Sequence, residues 1–197
     1  MKPLRWWLPL VLVAAPLRAQ TGYPTVRDGF WFGGGLGAGA GSLACGICEG
    51  GGGQGIAGYA RAGWTLNPRL LVGSELGLWQ KNGEAGLRRI LALTGGIWWY
   101  PRPAGGQFFR AAAGVSQWRS SREQEAVASR AIALMVGVGY EARVGSRLSV
   151  VPFLNLLGSA NGSMWLEQWD EGSFERRRLP TGAHTLLVQA GVGLTRH

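Results

Sequence analysis

The stretch Ala131-Ile132-Ala133-Leu134-Met135-Val136-Gly137-Val138-Gly139-Tyr140 decides the fold. Counted by twos, Ile132, Leu134, Val136, Val138 and Tyr140 form one face, and Ala133, Met135, Gly137, Gly139 and then Glu141 form the other. A period of two belongs to an extended strand, whose side chains alternate between its faces. One face is large and apolar throughout, the other small or polar. That is the pattern of a strand with lipid on one side and a narrow, filled interior on the other.

The same alternation recurs along the chain. Leu186, Val188, Ala190, Val192 and Leu194 oppose Leu187, Gln189, Gly191, Gly193 and Thr195, while Val72, Leu76 and Leu78 oppose Gly73, Glu75 and Gly77. Eight strands are predicted, over 29–41, 55–66, 69–80, 87–100, 106–119, 128–144, 147–158 and 183–196. Each meets the roughly 9 to 11 tilted residues that cross a bilayer. The connections 67–68, 101–105 and 145–146 are brief, whereas 42–54, 81–86, 120–127 and 159–182 are longer, so tight turns gather at one end and loops at the other. The fold expected is all-β, an eight-stranded antiparallel up-and-down transmembrane β-barrel.

Composition agrees. Glycine supplies 34 of 197 residues and hydrophobic residues 46%, with a mean hydropathy of only +0.05. Glycine at that level weakens helices, whereas barrels use it for bends and close packing. Residues 1–20 carry Lys2 and Arg5, then an apolar run from Trp6 to Ala15, then small residues near Ala19. They read as a secretory signal peptide, because a run of about ten residues is too short for a helical span. This leaves 21–197 as one barrel domain, exported to the outer membrane. Losing Lys2, Arg5 and Arg18 with the leader takes the 20 basic residues to 17 against 11 acidic, and the net charge from +9 to +6. The arginines are scattered without a continuous basic stripe, so no nucleic acid is expected as a partner.

Aromatic residues at the two ends of the strands are read as girdles at the membrane interfaces. Trp31, Trp64, Trp98, Trp99, Phe109 and Tyr140 fall at the tight-turn end, and Trp79 and Trp118 at the opposite end as a sparser belt.

Signal peptide, eight amphipathic strands, alternating connections and girdles such as Gly96-Ile97-Trp98-Trp99-Tyr100 together resemble the small outer-membrane β-barrels of the OmpA and OmpX type, across the whole mature chain. Within that group the chain looks like the glycine-rich members without an assigned activity. The resemblance implies outer-membrane lipid and the barrel insertion machinery as partners. It departs at the C-terminus, where such chains usually end on an aromatic and this one ends Leu194-Thr195-Arg196-His197, with the alternation off by one.

The chemistry-bearing residues are few. Cys45 and Cys48 lie in the first long connection of an exported chain, an oxidising setting, and a small intraloop disulfide is the expected state. Zinc would need two more ligands, and a redox site would need a helix start. Parity turns Arg61, Glu75, Arg110 and Glu141 inward, where charges must be paired, so a salt-bridge network is expected. The glycine runs 33–37 and 50–53 precede no predicted helix and offer no phosphate loop. His184, Ser159, Ser163 and Glu167 are the residues from which a hydrolase would have to be built, without diagnostic spacing. No catalytic, cofactor-binding or metal residue is assigned, no cofactor is expected and the chain is not read as an enzyme. The expectation is a structural or surface-interaction protein with a filled lumen, meeting a partner through the aromatic and charged segment 159–182. The alternatives are a small-solute channel and a soluble lipocalin-like carrier with its apolar residues inward.

Overall fold

A computed structural model describes residues 27–46, 52–83, 86–122, 125–170 and 173–197. The expected leader, 1–20, lies outside them, as does Cys48. The strands are β1 (Phe30–Cys45), β2 (Gly53–Asn67), β3 (Leu70–Gly83), β4 (Gly86–Trp99), β5 (Gln107–Arg122) and β6 (Glu125–Tyr140). They continue as β7 (Ala142–Arg143), β8 (Leu148–Ser159), β9 (Gly162–Asp170) and β10 (Ser173–Arg196). All pair antiparallel. β1 to β6 follow one another around the wall; β6 pairs with β8 and β9, and β10 pairs with β8, β9 and β1. β8 and β9 are therefore two halves of one stave, and β7 is a two-residue stub beside β8. Among the described residues the eight staves close into a ring, which pairs their ladders in a setting without water.

The outer wall is apolar. Leu36 is 72% exposed, Ile132 67%, Leu134 64% and Val115 58%, and residues on the opposite parity, such as Ala133 and Met135, are buried. This arrangement is the reverse of a soluble carrier. The interior holds two plugs. Trp31, Leu71, Trp98, Tyr100, Phe108 and Val151 fill the end where β1 begins and β10 ends. Trp79, Ile90, Trp118, Met135, Leu157 and Met164 belong to a larger cluster towards the other end. Inward glycines make room for these rings: a Cβ at Gly35 would stand 2.6 Å from the Tyr59 ring, and one at Gly73 2.9 Å from Trp31.

Two expectations need correction. The segment 159–182 is not a loop. β9 and the first half of β10 pair from Ser173↔Asp170 to Ala183↔Gly162, so the segment is a hairpin that prolongs the barrel wall. The ladder shifts between Leu179 and Gly182, around Pro180, which has no N–H to donate and is tolerated at a bulge. The connections 81–86 and 120–127 are likewise mostly strand, with Gly83↔Gly86 and Arg122↔Glu125 paired. β1 to β6 run 14 to 16 residues, about four to six more than the lipid needs. The excess stands above it.

The second correction concerns the girdle. Trp31, Trp79, Trp98 and Trp118 are buried in the lumen. Each has inward parity: Trp79 follows Glu75 and Gly77, and Trp98 stands between exposed Ile97 and Trp99. Trp64, Trp99 and Phe109 are exposed on the wall, and Tyr140 is partly covered there. With Phe30 and Phe32 they form the belt of the tight-turn end, where the Trp99 and Phe109 rings lie 5.9 Å apart.

Candidate functional site

Three groups of polar side chains stand out, two in the lumen and one on the outer wall. At the lower end, below the lumen plug, Glu141 sits between β6 and β7. Its carboxylate accepts from Arg27 Nε at 3.0 Å and from Tyr100 Oη at 2.6 Å, and lies 3.2 Å from His197 Nε2. Burial pushes this carboxyl up, but the hydrogen bond and charge of His197, the charge of Arg27 and the bond from Tyr100 outweigh it and hold the group down at about 2. Arg27 also donates to the carbonyls of Pro103 at 2.9 Å and Gly105 at 2.6 Å, and stacks 3.5 Å over the Tyr100 ring. One guanidinium thus ties the segment before β1 to the β4–β5 turn and to Glu141 at the end of β6. Sequence reasoning placed Glu141 inward but missed Arg27 and His197. The displaced alternation at the C-terminus was the available signal, since it turns His197 into the barrel.

In mid-lumen, Arg110 Nη1 donates to Glu75 Oε2 at 2.6 Å. Arg61 lies across the ladder from Glu75, yet its Nη2 donates to Thr195 Oγ1 at 2.8 Å. Its guanidinium is 5.1 Å from the Tyr59 ring and 5.7 to 5.8 Å from the rings of Trp31, Trp98 and Phe108. The structure therefore divides the four charges into a Glu75–Arg110 pair, an Arg61 held by rings and a hydroxyl, and a Glu141 joined to residues at the lower end.

On the outer wall, above the lipid-facing side chains, one cross-strand row reads Arg89, Arg119, Ala128, Trp165, Arg178 over β4, β5, β6, β9 and β10. The row below it holds Leu91, Gln117, Arg130 and Ser163, and the next is Leu93, Val115 and Ile132, fully apolar. Glu167 serves both Arg119, at 3.0 Å, and Arg176, at 3.7 Å. Arg176 lies 4.5 Å over Trp165 and Arg119 5.2 Å over Trp169, whose ring is 5.4 Å from that of Phe174. The belt at this end is thus built by arginines with Trp165, Trp169 and Phe174.

Of the residues a hydrolase would need, Glu167 is engaged by those two arginines and His184 is exposed on the wall. Ser159 Oγ accepts from Thr185 N at 2.8 Å, and no hydrogen bond joins His184 to either serine. Cys45 is half-buried at the end of β1; with Cys48 outside the described residues, their pairing stays an expectation.

A barrel of eight antiparallel staves with an apolar outer wall and a plugged lumen is the fold of the small outer-membrane β-barrels. Among solved structures, the chain is similar to Neisserial surface protein A (NspA), at 12% identity and a TM-score of 0.56, covering 86% of this chain and 97% of that one. It is also similar to Ail, the attachment invasion locus protein of Yersinia pestis, at 8% identity and a TM-score of 0.50, covering 84% and 99%. The outer membrane protein OprG from Pseudomonas aeruginosa aligns at 11% identity and a TM-score of 0.48, covering 89% and 98%. Neither a protein-family model nor a curated protein matches the chain.

Proposed function

We propose that the protein is a closed outer-membrane anchor that works through its outer wall, and that the surface it engages there is the phosphorylated headgroup layer of lipopolysaccharide. The observation that carries this reading is the row Arg89, Arg119, Ala128, Trp165, Arg178, set just above the lipid-facing side chains. Arg89 and Arg119 are directly opposite one another, an arrangement that repels unless anions neutralise it. Glu167 is shared between Arg119 and Arg176 and cannot balance the belt. Guanidinium groups bind phosphate oxygens in a bidentate fork, and neighbouring tryptophans favour the interface between headgroup and chain. A channel is the weaker reading, because both ends of the lumen are filled with large rings.

The test compares thermal unfolding of the barrel, followed by its heat-dependent electrophoretic shift, in phosphatidylcholine bilayers with and without lipopolysaccharide. Lipopolysaccharide is expected to raise the midpoint of the wild type, and the gain should shrink in Arg89→Gln/Arg178→Gln and at high salt, which screens exposed charges. Equal midpoints in both membranes, or an equal gain in the variant, would contradict the proposal.

A further inference from the structure

We infer that the middle of the lumen is a binding site for one small monatomic anion of the chloride class, held between Arg61 and Arg110. The buried charges there do not balance: two guanidinium groups face one carboxylate, Glu75, whose Oε2 is bonded to Arg110 at 2.6 Å while its Oε1 has no partner. Arg61, 5% exposed, has Thr195 Oγ1 as its hydrogen-bond acceptor. The four rings around it take up part of its charge but leave its Nε–H unbonded.

Further unbonded donors lie buried in the lumen. Arg110 Nε and Nη2, Tyr59 Oη, Asn155 Nδ2 and the indole nitrogens of Trp31 and Trp98 are buried without a protein acceptor. Trp98 joins the two arginines, its ring lying 5.8 Å from the Arg61 guanidinium and 5.0 Å from that of Arg110. Arg110, Gly137, Asn155 and Gln189 occupy one cross-strand row, and a Cβ at Gly137 would meet both Asn155 Oδ1 and, at 3.0 Å, Arg110 Cγ.

Buried polar groups are seldom left unpaired, and a buried cation needs a counter-charge. Some of these atoms have the character of water sites, but water cannot supply the missing negative charge. Ring clusters lie towards both ends of the lumen, and Arg61 and Arg110 are each only 5% exposed, so the counter-ion is placed inside, beside them. The narrow approach at Gly137 and the ring walls favour a single atom over an organic anion.

Bromide is the probe. The barrel is refolded with bromide as the sole halide, crystallised, and its diffraction collected at the bromine absorption edge. The wild type is expected to show an anomalous peak within about 3.5 Å of the Arg61 or Arg110 guanidinium. The peak should vanish in Arg61→Met that remains folded by heat shift. If that variant does not fold, Arg61→Lys, which keeps the charge but loses Nε and the planar fork, should weaken the peak. A wild-type chamber without an anomalous peak, or a peak unchanged by these substitutions, overturns the inference.

Discussion

Val136 and Gly137 are chain neighbours that meet different media, Val136 exposed on the apolar wall and Gly137 turned towards Arg110 and Asn155. Arginine at Val136 is expected to cost about 2 to 4 kcal/mol near the bilayer midplane, because its charge meets hydrocarbon, while leucine there should be nearly neutral. Leucine at Gly137 should cost about 1 to 3 kcal/mol or block folding, since even its Cβ meets the Asn155 carbonyl. Chemical unfolding in bilayers of defined lipid measures both; Val136→Arg as stable as wild type together with a silent Gly137→Leu would reverse the assignment of faces. Parity of this kind was legible wherever a strand is long and regular, as for Arg61, Glu75, Met135 and Glu141, all buried. It was overridden for Trp31, Trp79, Trp98 and Trp118, which were assigned to the girdle by their place near strand ends. Extending the inward run Gly73, Glu75, Gly77 by one more step would have put Trp79 in the lumen.

The elements were legible where lipid imposes contrast between their two faces. Towards the hairpin's tip, as over residues 173–178, both faces meet water, the contrast fades, and the strand signal fades with it. β9 and the outer half of β10 carry Trp165, Glu167, Trp169 and Arg176-Arg177-Arg178 in no simple apolar alternation, so the hairpin read as a loop. Its arginine row was hidden for another reason: Arg89, Arg119 and Arg178 are far apart in sequence and meet only through strand register. At the β1–β2 connection the motif Cys45-Gly46-Ile47-Cys48 can close only a short ring, and export exposes it to oxidants. Both thiols are expected to resist alkylation in the exported protein and to label after reduction. Labelling of the unreduced protein by mass spectrometry would exclude the disulfide.

As a whole the molecule joins a lipid-facing wall to a lumen closed by rings at both ends. Arg27, Tyr100, Glu141 and His197 bind the lower turns together, and the Glu75–Arg110 pair crosses the middle. The closed ring followed from eight amphipathic strands in the sequence. So did a filled lumen, but not the tryptophans that fill it: Trp31, Trp79, Trp98 and Trp118 read as girdle residues, whereas they are buried inside and the inward glycines give space to Trp31, Tyr59 and Phe108. An eight-stranded barrel is just wide enough for side chains to fill, and here large ones do. The proposed role is that of a closed anchor whose lumen stays shut. Planar-bilayer recording from the purified, refolded wild type tests that claim most directly: a silent baseline across applied voltage is predicted, and stable, steady openings of porin size would contradict it.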